Sequence, residues 1–245
     1  MMRPRRALAL VGLVAPAIAF APLGARADGL WQSLQRDPAL LGQELRALLL
    51  EEPELIEQTR AEARRRMAAD AASDLAAEIA GDRATIADLA GALFNVTPRG
   101  FGAANGPAGI TLFTAARCAD CLQAEAELRA LVEEMPGLRV ERRSLSDSRA
   151  DLLARALEEA QGPEAALAYR TALAEAPGAD ADAVLRQTGI DPESLPLSDS
   201  LRADLAAEAA LFTRLGLDAS PSYVMPDRLI RGAMPGIVLK RYLSE

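Results

Sequence analysis

The chain has 245 residues, half of them hydrophobic, and 35 acidic against 27 basic residues give a formal net charge of -8. That is enough apolar material for a substantial core, and so acidic a balance argues against nucleic acid as the main partner, because a basic stripe is the expected footprint. The absence of histidine also excludes a Ser-His-Asp triad, a Cys-His protease pair and a histidine-ligated zinc site.

Residues 1–27 predict a secretory signal peptide. Arg3, Arg5 and Arg6 precede an apolar run from Ala7 to Phe20, and Ala25-Arg26-Ala27 is a small-x-small cleavage site ahead of Asp28. The run is too short and too broken by proline for a spanning helix of roughly 20 residues. Arg5-Arg6 lacks the polar and aromatic flanks of a twin-arginine signal, which favours ordinary secretion. Cleavage removes four basic residues and no acid, taking the net charge from -8 to -12. Export places the thiols in an oxidising compartment, and the Ala-, Arg-, Leu- and Gly-rich composition suggests a bacterial periplasm.

Residues 28–94 predict a helical N-terminal extension. Leu34, Leu41, Leu45, Leu48 and Leu49 form an apolar stripe, and Pro53 stands near a second helix start, where a missing N–H costs little. From Arg60 to Asp74 the composition is mostly Ala, Arg and Asp, with Met67 almost the only large apolar side chain. Such a helix is either a solvated linker or one member of an oligomeric helical assembly. The Gly, Pro and Asn of residues 95–109 predict a turn-rich linker and a domain boundary.

Residues 110–245 follow as one domain. Ile110 to Phe113 predicts a strand, Leu128, Leu131, Val132 and Met135 fall at helical spacing, and Leu138 to Leu145 alternates like a second strand. That order is β–α–β, with parallel strands expected. Residues from about 147 to 215 predict a helical insert: Ser148 to Gln161, Glu164 to Glu175, Asp180 to Thr188 and Ser198 to Leu215, punctuated by Gly and Pro. Ser222 to Met225, the turn Pro226-Asp227 and Arg228 to Ile230 predict a hairpin, and Gly236 to Leu243 a closing helix.

The only two cysteines, Cys118 and Cys121, sit three positions apart at the start of the β–α helix. There the unpaired N–H groups and the positive end of the helix dipole favour a thiolate, which makes Cys118 the attacking sulfur and Cys121 the one placed to resolve a mixed disulfide. A structural bridge from i to i+3 would restrict the unfolded chain little. A zinc site would have only carboxylates to complete it. Binding of Cu(I) by the two thiolates is chemically open. Ser220-Pro221 opens a strand directly after a turn, a common place for a cis peptide, although trans is the commoner state.

The element order, the C-x-x-C and the ending "SPSYVMPDRLIRGAMPGIVLKRYL" together resemble the DsbA-like thiol:disulfide interchange proteins of the thioredoxin superfamily. The extension with "LLLEEPELI" is similar to the branch of copper-sensitivity suppressor proteins, in which this extension oligomerises. The resemblance implies an α/β, thioredoxin-like fold with a helical insertion, preceded by a helical N-terminal extension. It further implies a cis-proline at Pro221 facing Cys118 and Cys121, a backbone at Ser220 that pairs with bound peptide, and a structural role for Gly232 and Ala233. Protein substrates carrying thiols or disulfides, a redox partner that resets the dithiol and a homo-oligomer are the implied partners; no organic cofactor or metal is needed. Oxidation and isomerisation are both compatible with this reading, and non-enzymatic Cu(I) binding or delivery through the same sulfurs is the alternative.

Three positions depart from that pattern. Leu112 stands where many thioredoxin-like enzymes place a buried, proton-relaying carboxylate. Asp120, between the cysteines, adds a like charge that raises the Cys118 pKa, and Arg117 offsets part of it. The expectation is a weaker oxidant than the strongest members of the family.

Overall fold

The computed structural model describes residues 38–104 and 108–244. The signal-peptide stretch, together with Leu30 and Leu34 of the predicted extension, lies outside the described residues. The chain divides into two units between Asp70 and Ala71.

The first unit holds helix α1 (Pro38–Glu51) and the start of helix α2 (Glu54–Leu93). Pro53 separates them, since it cannot supply the N–H that would carry α1 onward. Leu41, Leu45, Leu48 and Leu49 are exposed along α1, as is Met67 on α2. Where α2 lacks apolar side chains it carries Glu57–Arg60, Glu62–Arg65 and Glu62–Arg66 pairs at i,i+3 and i,i+4 spacing, the arrangement that supports a solvated helix.

The second unit is built on a five-stranded sheet. Its strands are β1 (Phe101–Gly102), β2 (Ile110–Thr114), β3 (Arg139–Ser144), β4 (Ser222–Met225) and β5 (Arg228–Arg231), in the order β1-β3-β2-β4-β5. Strands β2 and β3 are parallel, joined by α3 (Ala119–Glu134), and the other neighbours pair antiparallel. Alternation along β2 assigns the two faces. Ile110 and Leu112 pack with Leu128, Leu131, Tyr223 and Leu239 under α3 and the closing helix α8 (Gly236–Ser244). Phe113 packs on the other face with Ile86, Leu89, Leu93 and Val224, so the last turns of α2 belong to this core. Burying Ile86 or Leu93 is worth about 2 kcal/mol each in apolar transfer.

The insert follows the predicted punctuation closely. It comprises α4 (Arg149–Gln161), α5 (Pro163–Glu175), α6 (Ala181–Gln187) and α7 (Asp199–Arg214), with a 3-10 turn at Pro192–Ser194 that periodicity did not indicate. Ser148, Asp180 and Ser198 cap three of these helices with their side-chain oxygens, satisfying N–H groups that have no partner within the helix. Leu153, Leu157, Tyr169, Leu173, Leu185 and Leu205 form the insert's own core.

Two features differ from the expectation. The turn-rich stretch contributes strand β1, pinned by the buried Arg139–Glu141 pair at 2.6 Å: Glu141 accepts from Thr97, and Arg139 donates to the carbonyls of Thr97 and Ala103. Gly102 makes this possible at φ 95, because a Cβ there would collide with the Leu138 carbonyl. The second difference is on β3, where Arg139, Glu141 and Arg143 are buried. They meet charged partners there, such as Glu208 on α7, which lies 3.9 Å from Arg143, pairs with Arg99 and Arg155 and accepts the Ser144 N–H.

Candidate active site

Strand β2 ends at Thr114, and the next four residues form the approach to α3. Two side-chain contacts clamp that approach to the insert. Asp151 accepts the Ala116 N–H at 2.7 Å and is itself held by the hydroxyls of Ser146 and Ser148. Arg117 donates to the carbonyls of Ala176 (2.9 Å) and Ala179 (2.7 Å), just beyond the C-terminus of α5, where unpaired carbonyls attract a cation.

Cys118 is the N-cap residue of α3, and its sulfur accepts the Cys121 N–H at 3.1 Å. The two cysteines form a disulfide with Cα atoms 5.2 Å apart. Their environments differ: Cys118 is partly exposed whereas Cys121 is fully buried. An incoming sulfur therefore meets Cys118 first. Once reduced, Cys118 keeps an N–H donor and the positive end of the helix dipole beside it, both of which favour its thiolate.

Sheet register brings in the remaining residues. Phe113 pairs with Ser222, so Pro221, one residue earlier, arrives beside the end of β2. The Ser220-Pro221 peptide is cis, Pro221 is buried and Ser220 exposed. The Ser220 hydroxyl lies 3.8 Å from the Cys118 sulfur. The Pro221 carbonyl accepts the Gly232 N–H at 2.9 Å, which ties this loop to β5; Gly232 sits at φ 88, a conformation that favours glycine.

Cys118, Cys121, Ser220 and Pro221 thus converge. Asp120 is exposed on the first turn of α3. The Arg117 guanidinium is engaged by the insert's carbonyls. Leu112 is fully buried among apolar neighbours, so the position expected to be carboxylate-free is filled by core packing.

Sequence reasoning missed Glu125, a buried carboxylate one turn beyond Cys121. It binds Arg170 at 2.7 Å and Arg129 at 2.8 Å, with Arg142 at 3.2 Å. Burial alone would raise its pKa, but Arg142 and Arg170 outweigh that and hold it at about 2. Glu125 is therefore ionised at neutral pH and carries no proton for Cys121; it joins α3, β3 and α5. The signal was present as a charge on the same helical face as Cys121 and Leu128.

No protein-family model matches the chain, and no curated protein matches it. Solved structures do match. A linker-deletion mutant of ScsC from Proteus mirabilis is 20% identical, with a TM-score of 0.54 over 92% of this chain and 97% of that one. The catalytic domain of Proteus mirabilis ScsC is 21% identical, with a TM-score of 0.51 over 66% of this chain and 99% of that one. The thiol-disulfide exchange protein alpha-DsbA2 from Wolbachia pipientis is 18% identical, with a TM-score of 0.53 over 69% of this chain and 97% of that one. These likenesses establish the class of fold: thioredoxin-like α/β with a helical insertion.

Proposed function

We propose that the protein is a periplasmic thiol:disulfide oxidoreductase acting on protein substrates through Cys118 and Cys121. The observation that carries the reading is a partly exposed Cys118 at a helix N-terminus, 3.8 Å from the Ser220 hydroxyl, with its partner sulfur buried. In the oxidising direction, a substrate thiolate attacks the Cys118 sulfur and Cys121 leaves as thiolate. A second substrate thiolate then attacks the substrate sulfur of the mixed disulfide, and Cys118 leaves. Two electrons pass to the protein, and the reverse sequence reduces or reshuffles a substrate. Ser220 is an exposed residue beside Cys118; in this reading its backbone pairs with an extended peptide, and a redox partner resets the pair.

Asp120 disfavours a charged Cys118, while Arg117, held by the insert, supplies a nearby positive charge. Equilibration with glutathione is expected to give a reduction potential more negative than about -120 mV, the value of the strongest oxidants of this kind. A potential at that value contradicts the role of Asp120. Tight one-to-one Cu(I) binding by the reduced form together with no reduction of insulin contradicts exchange altogether and supports copper delivery.

The exposed Leu41, Leu45, Leu48 and Leu49 favour self-association through the N-terminal helices. Light scattering is expected to give a multiple of the chain mass, which places several sites around one substrate and suits isomerisation. A monomer removes that role and leaves simple oxidation.

A further inference from the structure

A cleft of about 170 Å³ lies between α3 and the segment leading into α8, bordered at one end by Asp120 of the C-x-x-C turn. One wall is the face of α3 bearing Asp120, Gln123 and Glu127; Tyr223, Met234 and Pro235 supply the apolar remainder. Two carboxylates line it, with no lysine or arginine among the lining residues. Asp120 is exposed, and among the described residues Glu127 accepts from two uncharged donors, the Gly236 N–H at 2.7 Å and the Gln123 amide at 3.0 Å. The negative charge of the cleft is therefore available to an incoming group.

The position of the cleft links it to exchange. Asp120 lies between the two cysteines in sequence, and Tyr223 is the second residue after Pro221 on β4. Both halves of the site lead into it. An extended peptide advances about 3.3 Å per residue, so a side chain one or two positions from a cysteine bound at Cys118 would fall beside Asp120, which is two residues from Cys118 and lines the cleft.

We propose that the cleft is a specificity subsite for a lysine or arginine close to the substrate cysteine. The aliphatic stem lies against Met234 and Pro235, and the charged head meets Asp120 and Glu127. This rests on the exchange reading and names the substrate class it favours: polypeptides with a cationic residue adjoining the reacting cysteine.

The test uses the oxidised full chain and reduced peptides with two cysteines, each flanked by lysine, glutamine or glutamate. Thiol consumption is followed at low and high salt, and each rate is divided by that peptide's rate with a neutral small-molecule disulfide, which removes the intrinsic reactivity of its thiols. The corrected lysine-to-glutamate ratio is expected to be roughly tenfold at low salt and to shrink as salt screens it. In a D120N/E127Q double variant the ratio falls towards one. A ratio near one in the wild type, or one unchanged in the double variant, overturns the subsite while leaving exchange intact. Consumption of no peptide overturns exchange, and the subsite with it.

Discussion

Replacing Cys118 by serine is expected to lower the rate of disulfide exchange by about three orders of magnitude or more, because a hydroxyl supplies no thiolate and accepts no sulfur. The fold should survive, since the Cys118–Cys121 bridge closes a loop of sequence separation 3 and restrains the unfolded chain little. Cys121→Ser should behave differently. It keeps the exposed, helix-capping sulfur but removes the buried one that expels a stalled substrate, so turnover falls while adducts accumulate. Insulin reduction by the two variants, with unfolding midpoints measured alongside, checks both statements. Equal losses with no adduct in either variant would mean that the difference in exposure between the sulfurs carries no division of labour.

Glu125→Gln is the second large effect, and it falls on stability. At neutral pH the Glu125 carboxylate holds Arg129, Arg142 and Arg170, and its loss leaves Arg142 and Arg170 buried with one partner fewer. A folded-state pKa of about 2 against an ordinary 4.5 corresponds to about 3 kcal/mol of stabilisation, in line with the cost of breaking a buried pair. The sign follows from the depressed pKa. The contribution is complete above the unfolded value near 4.5 and disappears as pH falls through about 2. Urea unfolding of wild type and variant should therefore differ by about 3 kcal/mol at pH 7 and converge near pH 2. A constant difference across that range would show that Glu125 acts by packing rather than by charge.

The parts legible in the sequence were those written in local chemistry. The spacing of Cys118 and Cys121 and the hairpin turn at Pro226-Asp227 can be read from neighbouring residues alone, as can the Ser148 and Ser198 helix starts. The predicted strand Ser222–Met225 coincides with β4. What could not be read depends on partners distant in the chain. Ile86, Leu89 and Leu93 show that one face of α2 is covered, but nothing nearby says that the cover is Phe113 and Val224 of the sheet. Strand β1 is two residues long, too short for any period to register. The burial of Arg139, Glu141 and Arg143 likewise depends on Thr97, Glu208 and the carbonyls they bind, none of which is near them in the chain. At the site, the cysteines were legible, whereas the clamp of Asp151 and Arg117 onto the approach was not, because it joins residues more than thirty positions apart.

The most direct measurement of the central claim is a trapping experiment with Cys121→Ser. The full-length variant is mixed with a disulfide-bonded protein substrate and quenched with acid, and the adduct is mapped by mass spectrometry. The account predicts one substrate chain attached through a disulfide to Cys118, releasable by dithiothreitol. A substrate that remains unattached, with Cys118 recovered as a free thiol after prolonged incubation, would contradict it.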